Sequence, residues 1–433
     1  MDPLIGFLVF LIVLVVFMAT GVPVAVGMGL MGAIGTAIFV SPAAVAQVAS
    51  IAYSQSGNFV LAVVPMFVLM GDILAATPIG RDLFRAAHLL LRKLPGSLAV
   101  ATVFACAAFG SVCGSSPVTA ATIGQMSVPE MRRRGYDNRL ALGATAAGGT
   151  LGILIPPSVS MIIYGILTDT SIGKLFIAGI VPGLMLACML SATVILQVRS
   201  NPALAPAFAE EVRPGDLRRA LVPLWPVALL AFLVLGSMYG GFATPTEASA
   251  VGAAGAIAIA ALRRNLTWRS LLKAFDSTVR TSAMFTLLLV GGLFVSFVMA
   301  RLGIPQGMSE ALTSFALPAW AIIVVICVLL IILGCFMDPT SILVVMIPIL
   351  FPSVVALGYD PIWFGVMVTI LIEIAAITPP VGFNLYVLKS VVPDTKLYDV
   401  TAGALIFVIP LSLGLVVLLL FPEIALFLPR LVR

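Results

Sequence analysis

The sequence has few charged residues and almost no histidine. Charged side chains make up 9% of its 433 residues, hydrophobic ones make up 61%, and the mean hydropathy is +1.20. Soluble domains carry about 25% charged residues, so the composition excludes that class and indicates a protein that crosses a membrane several times. The sequence also lacks a phosphate-binding loop, a His-Glu-x-x-His motif and a Gly-x-Ser-x-Gly elbow. We therefore expect no ATP hydrolysis through such a loop, and no enzyme.

Cysteines and targeting signals are also sparse. The five cysteines lie in apolar surroundings, which argues against a disulfide framework or a metal cluster. Residues 4–20 lack a preceding basic segment and apolar sequence resumes at Val22, so this stretch is interpreted as a first membrane span rather than a signal peptide. The net charge of +5 is typical of basic cytoplasmic loops facing a lipid bilayer, and it does not imply nucleic-acid binding.

One pattern occurs twice, and each copy places a helix breaker inside an apolar stretch. The first copy contains Ser116-Pro117-Val118-Thr119, Gly135-Tyr136-Asp137 and Pro156-Pro157. The second contains Asp338-Pro339-Thr340-Ser341, Gly358-Tyr359-Asp360 and Pro379-Pro380. The spacing between the two copies is constant at 223 positions for three pairs of residues: Pro129 and Pro352, Gly135 and Gly358, Pro156 and Pro379. A duplicated unit with central helix breakers is typical of secondary transporters.

Apolar stretches predict about ten membrane crossings and two further hairpins. The crossings are predicted near residues 4–20, 24–40, 59–76, 139–168, 175–197, 221–240, 245–262, 276–300, 361–391 and 400–421. Regions 96–131 and 318–357 each divide at a polar break into arms of about 16 residues, or about 24 Å of helix, whereas a bilayer core is about 30 Å thick. Such arms predict re-entrant hairpins with tips inside the protein, and the Pro-Pro pairs predict that spans 139–168 and 361–391 are broken.

Basic residues predict the orientation of the two halves. Arginines lie on both sides of the first hairpin, so both of its ends are expected in the cytoplasm. The Gly-Tyr-Asp loop follows three arginines in the first copy and Val-Ala-Leu in the second, so the copies are expected on opposite membrane faces. Five crossings plus one hairpin per half produce this inversion. The predicted domains are a first inverted repeat over 1–198, a cytoplasmic linker over 199–220 and a second inverted repeat over 221–433.

The basic segment 81–93 contains the only histidine, His88. We expect this segment to form an amphipathic helix on the cytoplasmic surface, with the histidine in solvent or facing lipid.

Two pseudo-symmetric ion sites are predicted at the breaks. Ser115-Ser116-Pro117 and Asp338-Pro339 each place an N-cap residue before a proline, so each is expected to begin a half-helix inside the membrane. Helix N-termini suit an anionic group, whereas carbonyls freed by proline suit Na⁺. The predicted sodium ligands are Ser115, Ser116, Gly149, Thr150, Pro156 and Ser158 at the first site, and Asp338, Thr340, Thr378, Pro379 and Gly382 at the second. The predicted substrate ligands are Ser116, Ser160 and Asn384.

Three acidic residues fall at predicted membrane depth, where a carboxylate is costly and usually functional. Asp338 is a candidate ion ligand and also a candidate N-cap, and both roles are compatible. For Asp72, contact with a partner helix or a cavity is favoured over catalysis. For Glu373, a structural hydrogen bond to the hairpin and an ion or proton role are equally open.

Long motifs in both halves resemble one transporter family. They are Gly114-Ser115-Ser116-Pro117-Val118-Thr119-Ala120-Ala121-Thr122-Ile123-Gly124, Gly152-Ile153-Leu154-Ile155-Pro156-Pro157-Ser158 and Ile377-Thr378-Pro379-Pro380-Val381-Gly382-Phe383-Asn384-Leu385. The sequence is identified from them as a member of the large membrane (M) subunits of TRAP (tripartite ATP-independent periplasmic) transporters. The resemblance covers essentially the whole chain.

This resemblance implies an all-α polytopic protein of the bacterial inner membrane, with an elevator fold like that of the ion-transporter superfamily. It implies Na⁺-coupled import of an organic acid such as a dicarboxylate, a sialic acid or another sugar acid. It also implies two partners, a separate small membrane (Q) subunit and a periplasmic substrate-binding (P) protein. Two alternatives from other classes stay open at this point. They are a channel or exporter with re-entrant loops, and a membrane-embedded enzyme, which the missing catalytic motifs disfavour.

Overall fold

The computed structural model describes residues 3–206, 215–307, 310 and 318–431, and every regular element in them is helical. In the first half the helices are α1 (Pro3–Ala19), α2 (Val24–Phe39), α3 (Gln47–Ser56), α4 (Val63–Ala75), α5 (Ile79–Leu91), α6 (Ser97–Cys113), α7 (Ser116–Arg133), α8 (Asn138–Thr150), α9 (Val159–Thr168) and α10 (Ile172–Ser200). In the second half they are α11 (Asp216–Tyr239), α12 (Pro245–Leu262), α13 (Trp268–Arg301), α14 (Ala319–Gly334), α15 (Pro339–Ala356), α16 (Pro361–Ala376), α17 (Phe383–Val391), α18 (Leu397–Leu420) and α19 (Glu423–Leu431).

Fewer continuous helices could cross a membrane than the ten crossings predicted from the sequence. Among the described residues, six helices are long and apolar enough, namely α10, α11, α12, α13, α15 and α18, and one bent pair over residues 42–75 would make a seventh. The expected crossing at 59–76 contains only the 13-residue α4 after a short 3-10 turn, while 139–168 and 361–391 are divided at their prolines. The all-helical membrane fold is therefore confirmed, and 139–168 and 361–391 are divided at their prolines as predicted, while the total of ten crossings stays a prediction.

The helix breaks lie at the repeated polar motifs. The α6–α7 and α14–α15 pairs are separated only by residues 114–115 and 335–338, and α8–α9 and α16–α17 are separated at Pro156-Pro157 and Pro379-Pro380. Amide hydrogens in the first turn of a helix have no acceptor within the helix, so a proline there loses no hydrogen bond. This explains why α7 and α15 begin at these prolines. Both Pro-Pro peptide bonds are cis. The inverted orientation of the halves and the domain limits stay predictions, and residues 207–214 of the linker lie outside the described part.

Small residues bring the helix backbones together. A methyl group added to Gly143 of α8 would lie 2.2 Å from the carbonyl oxygen of Gly403 in α18. A methyl group added to Gly32 of α2 would lie 2.7 Å from the ring of Phe294 in α13. Such approaches are typical of membrane helices, which associate through close van der Waals packing.

Helix α5 is strongly amphipathic, but the expectation for His88 is wrong. The imidazole is buried, with 8% of the residue exposed. It lies one helical turn after the buried Phe84, on the face that α5 turns toward the rest of the protein. The opposite face carries Asp82, which forms an ion pair with Arg263 at 2.9 Å.

The contact between α8 and α18 predicts that Gly143→Ala lowers stability. Because the added methyl would overlap a backbone carbonyl, which cannot move aside, we expect a loss of about 1–3 kcal/mol. Thermal unfolding of the detergent-solubilised protein, followed by tryptophan fluorescence, measures the effect. The matched control is Gly29→Ala in α2, where an added methyl has no neighbour within 4 Å. Equal midpoints for the two variants would contradict this packing.

Candidate substrate and ion site

A cavity of about 370 Å³ lies between the two hairpin tips. Ser115 and Ser116 reach it from the first tip, Asp338 and Thr340 from the second, and Ser160 from α9. Ser116 and Asp338 are 222 positions apart in the sequence, yet the fold brings them to one cavity because both hairpins end there. The cavity therefore joins residues that the sequence assigned to two ion sites and to the substrate.

The opposite wall of the cavity is formed by α4 and α13, in which Asp72 is the only lining residue that was singled out from the sequence. Asp72 of α4 lies there, and Ser277 and Thr281 of α13 are one helical turn apart on the same wall. One oxygen of Asp72, Oδ2, is buried and has no hydrogen-bond partner in the described structure. The favoured interpretation of Asp72 as a cavity contact agrees with this position. The sequence analysis did not predict that Ser277 and Thr281 line a cavity. Their spacing of four residues places both hydroxyls on one face of an apolar helix, and this pattern could have indicated a polar site.

The first tip lies directly against the first Pro-Pro break. The amide of Val159 donates to the carbonyl of Gly114 at 3.4 Å, and a methyl on Gly114 would lie 2.7 Å from the carbonyl oxygen of Pro157. A methyl on Gly152 would lie 2.9 Å from the carbonyl oxygen of Ser115. Gly114 and Gly152 must be glycine because a side chain at either position would push the first hairpin tip away from the Pro156-Pro157 break. Backbone oxygens of both segments are consequently close neighbours.

The second tip makes the corresponding contact with the second break. The amide of Val381 donates to the carbonyl of Cys335 at 3.1 Å. Gly382 adopts a positive φ of 58°, which favours glycine, as the chain turns into α17. A methyl on Gly334 would lie 2.4 Å from Cβ of Ala375, so α14 and α16 also touch closely here.

The two half-helices that begin at the tips differ in capping. Asp338 accepts hydrogen bonds from the amides of Thr340 and Ser341, each at 3.1 Å, and from the Ser341 hydroxyl. Ser115 makes no side-chain cap to α7. The carboxylate of Asp338 therefore compensates the positive end of α15, whereas the N-terminus of α7 stays open toward the cavity. An anionic group is better accommodated at the first tip than at the second.

Several predicted ligands lie in the walls of the breaks rather than on the cavity. The hydroxyls of Thr150 and Thr378 donate to carbonyls of their own helices, at Ala147 and Ile374, both at 2.6 Å. Ser158 caps α9 by accepting from the amide of Met161 at 3.3 Å. Cavity-lining positions do not include Gly149, Thr150, Pro156, Ser158, Thr378, Pro379 or Gly382. Their roles as sodium ligands stay predictions.

A buried hydrogen-bond chain joins the first tip to the second broken helix. The Ser116 hydroxyl donates to Oε2 of Glu373 at 2.9 Å and accepts from Nδ2 of Asn384 at 2.6 Å. The sequence left two roles open for Glu373, a hydrogen bond to the hairpin and an ion or proton role. The structure contains this hydrogen bond, which Glu373 accepts from Ser116 at the first tip. Asn384 lies behind Ser116 and does not line the cavity, so it is not placed for direct contact with a substrate there.

Sequence comparison places the chain beside one family of membrane transport proteins. The family model described as "Tripartite ATP-independent periplasmic transporter, DctM component" matches residues 11–424. A C4-dicarboxylate TRAP transporter large permease protein of Pseudomonas aeruginosa is 35% identical over 93% of this chain and 93% of its own length. A sialic acid large permease protein of Vibrio cholerae is 33% identical over 86% and 87%. An ectoine large permease protein of Halomonas elongata is 34% identical over 85% and 86%.

Two solved transporter structures share the fold at low sequence identity. The YdaH transporter of Alcanivorax borkumensis aligns with a TM-score of 0.55 and 16% identity, covering 86% of each chain. The MtrF efflux pump of Neisseria gonorrhoeae aligns with a TM-score of 0.56 and 11% identity, covering 90% of this chain and 85% of its own. At such identities the likeness concerns the arrangement of helices alone.

The geometry at the second tip predicts different effects for two substitutions of Asp338. Asp338→Ala removes the cap of α15 and should lower stability by about 0.5–2 kcal/mol, whereas Asp338→Asn should retain most of it because asparagine is a comparable N-cap. Thermal midpoints measured in choline chloride, without Na⁺, isolate the capping role. Equal midpoints for the two variants would show that the carboxylate does not cap this helix.

Proposed function

Because this chain belongs to the DctM family of large membrane components of TRAP transporters, we propose that it is the transport subunit of a Na⁺-coupled symporter that imports an organic acid. It is a multi-pass protein of the bacterial inner membrane and a transporter permease. In this proposal it acts with a small membrane subunit and a periplasmic binding protein that delivers the substrate.

The cavity between the two hairpin tips is the observation that carries this proposal. It is lined by hydroxyl groups, by two carboxylates and by the open N-terminus of α7. A half-helix N-terminus with neighbouring serine hydroxyls suits a carboxylate, which the hydroxyls of Ser115 and Ser160 and the open N-terminus of α7 at Ser116 are placed to bind. Relatives are named for C4-dicarboxylate, sialic acid and ectoine, which all contain a carboxylate. A further relative is named for isethionate, which is a sulfonate, so the proposed substrate class is a small organic acid.

The charges around the cavity support coupling to a cation. Asp72 and Asp338 face it, and none of its lining residues is a lysine or arginine. An incoming carboxylate would be repelled by two acids at membrane depth unless positive charge were bound nearby. Oxygen atoms of carboxylates, hydroxyls and backbone carbonyls are suitable ligands for such a hard cation. Binding of substrate and of Na⁺ would thus depend on each other.

In an elevator mechanism the two hairpins and the two broken helices would move together. The contacts of each tip with its own break, and of Ser116 with Glu373, hold these elements as one unit. Helices outside this unit, with the small subunit, would form the static scaffold. Asp72 and the α13 hydroxyls then belong to the surface past which the unit moves.

Uptake into proteoliposomes tests the proposal. The chain is reconstituted with its small subunit, the binding protein and a radiolabelled panel of succinate, sialic acid and ectoine are added outside, and a Na⁺ gradient is compared with choline. We expect uptake of one panel class to require the Na⁺ gradient. Asp338→Asn should reduce this uptake about tenfold or more, because it removes a negative charge that faces the bound cation while keeping the cap of α15.

The matched control is Asp360→Asn, which alters another carboxylate N-cap, that of α16, at a position that does not line the cavity. This variant should transport at the wild-type rate. Uptake that is equal in Na⁺ and choline would contradict sodium coupling, and equal loss in both variants would remove the role assigned to the cavity carboxylate.

A further inference from the structure

Glu373 is a buried acid whose surroundings leave part of its carboxylate without a partner. It is 2% exposed, and the two residues bonded to each other beside it, Ser116 and Asn384, are fully buried. One carboxylate oxygen, Oε2, accepts from Ser116. The other, Oε1, is buried and accepts no hydrogen bond within the described structure, and the same is true of Oδ1 of Asn384.

The hydrogen bonds beside Glu373 run in one direction, from Asn384 through Ser116 to the acid. An amide nitrogen can only donate, so Nδ2 of Asn384 must donate to the Ser116 oxygen. The single hydroxyl hydrogen of Ser116 is then directed to Glu373. Glu373 therefore receives one hydrogen bond, at Oε2, and the Asn384 amide supports that bond through Ser116.

No cationic side chain of the described residues lies within ion-pair distance of Glu373. Among the ion pairs of the described residues, Glu373 has no partner. A carboxylate held in a low-dielectric interior without a counter-charge is strongly disfavoured. Two buried oxygens therefore lack a hydrogen-bond donor, Oε1 of Glu373 and Oδ1 of Asn384. They could bind a cation that is not part of the chain.

We propose that Glu373, Asn384 and Ser116 form a buried site for a monovalent cation, with Oε1 of Glu373 and Oδ1 of Asn384 as ligands. The site lies where α7 of the first half meets α16 and α17 of the second, and Glu373 is not among the sodium ligands predicted from the breaks. A single carboxylate with amide and hydroxyl oxygens suits Na⁺. No cluster of three or more His, Cys, Asp or Glu side chains in the described residues could hold a transition metal.

A cation in this position would act directly on the substrate cavity. Ser116 belongs to both places, since its side chain bonds to Glu373 and it also lines the cavity. Positive charge behind Ser116 would attract a carboxylate to the open N-terminus of α7 and offset the repulsion from Asp72 and Asp338. The inference rests on the sodium coupling proposed above, and it assigns that coupling an electrostatic route through Ser116.

Equilibrium binding of ²²Na⁺ to the purified wild-type complex and to Glu373→Gln tests the site. Glutamine keeps the size and can still accept from Ser116, but it removes the charge. We expect Glu373→Gln to bind one Na⁺ fewer per chain, or to bind that ion about tenfold or more weakly. The matched control is Glu130→Gln, which alters an acid paired with Arg133 and Arg134 at the end of α7 and should keep the wild-type stoichiometry.

The outcomes separate this inference from the proposed function. If wild type binds Na⁺ and Glu373→Gln binds the same number with the same affinity, the carboxylate does not hold a cation and the inference is overturned. If wild type binds no Na⁺, sodium coupling fails together with it.

A wild-type measurement covers the case in which Glu373→Gln does not fold. Crystals of the wild-type complex soaked in a thallium(I) salt should show an anomalous peak between Glu373 and Asn384, since Tl⁺ substitutes for monovalent cations. Peaks elsewhere in the protein with none at this position would overturn the site.

Discussion

The structure depends on how its broken helices satisfy their backbone groups away from water. A break at membrane depth exposes amides and carbonyls that lipid cannot bind, so each break needs a polar partner inside the protein. Here the partner is the hairpin tip of the same half, through Val159 and Gly114 in the first half and Val381 and Cys335 in the second. These contacts fix the tips beside the breaks, and the cavity forms where the two pairs meet.

Hydrogen bonds between the two halves of the chain hold the residues of the site together. Ser116 of the first half bonds to Glu373 and Asn384 of the second, and the Tyr164 hydroxyl of α9 donates to the carbonyl of Pro361 at 2.6 Å. The ring of Tyr164 also packs edge-on against Phe351 and Phe364. Packed side chains and hydrogen bonds therefore connect the first half directly to the second.

The sequence predicted the positions of the breaks well, because proline and N-cap residues act locally. Ser116-Pro117, Asp338-Pro339 and the Pro-Pro pairs interrupt helices wherever they occur in an apolar stretch. The burial of individual side chains and their hydrogen-bond partners were harder to predict, because both depend on which helices pack together. The inward position of His88 and the contact of Asn384 with Ser116 follow from packing between distant segments. Hydropathy likewise does not register that residues 59–76 form a short 3-10 turn followed by the 13-residue α4.

The proposed function requires the cavity between the hairpin tips to bind the substrate together with Na⁺. This can be tested by electron cryo-microscopy of the complete complex, prepared with its transported acid in NaCl and again in choline chloride. We expect ligand density beside Ser116 and Ser160 in NaCl that is absent in choline. Substrate density at another place, or density at this place that is equal in both salts, would show that the cavity does not bind the two together.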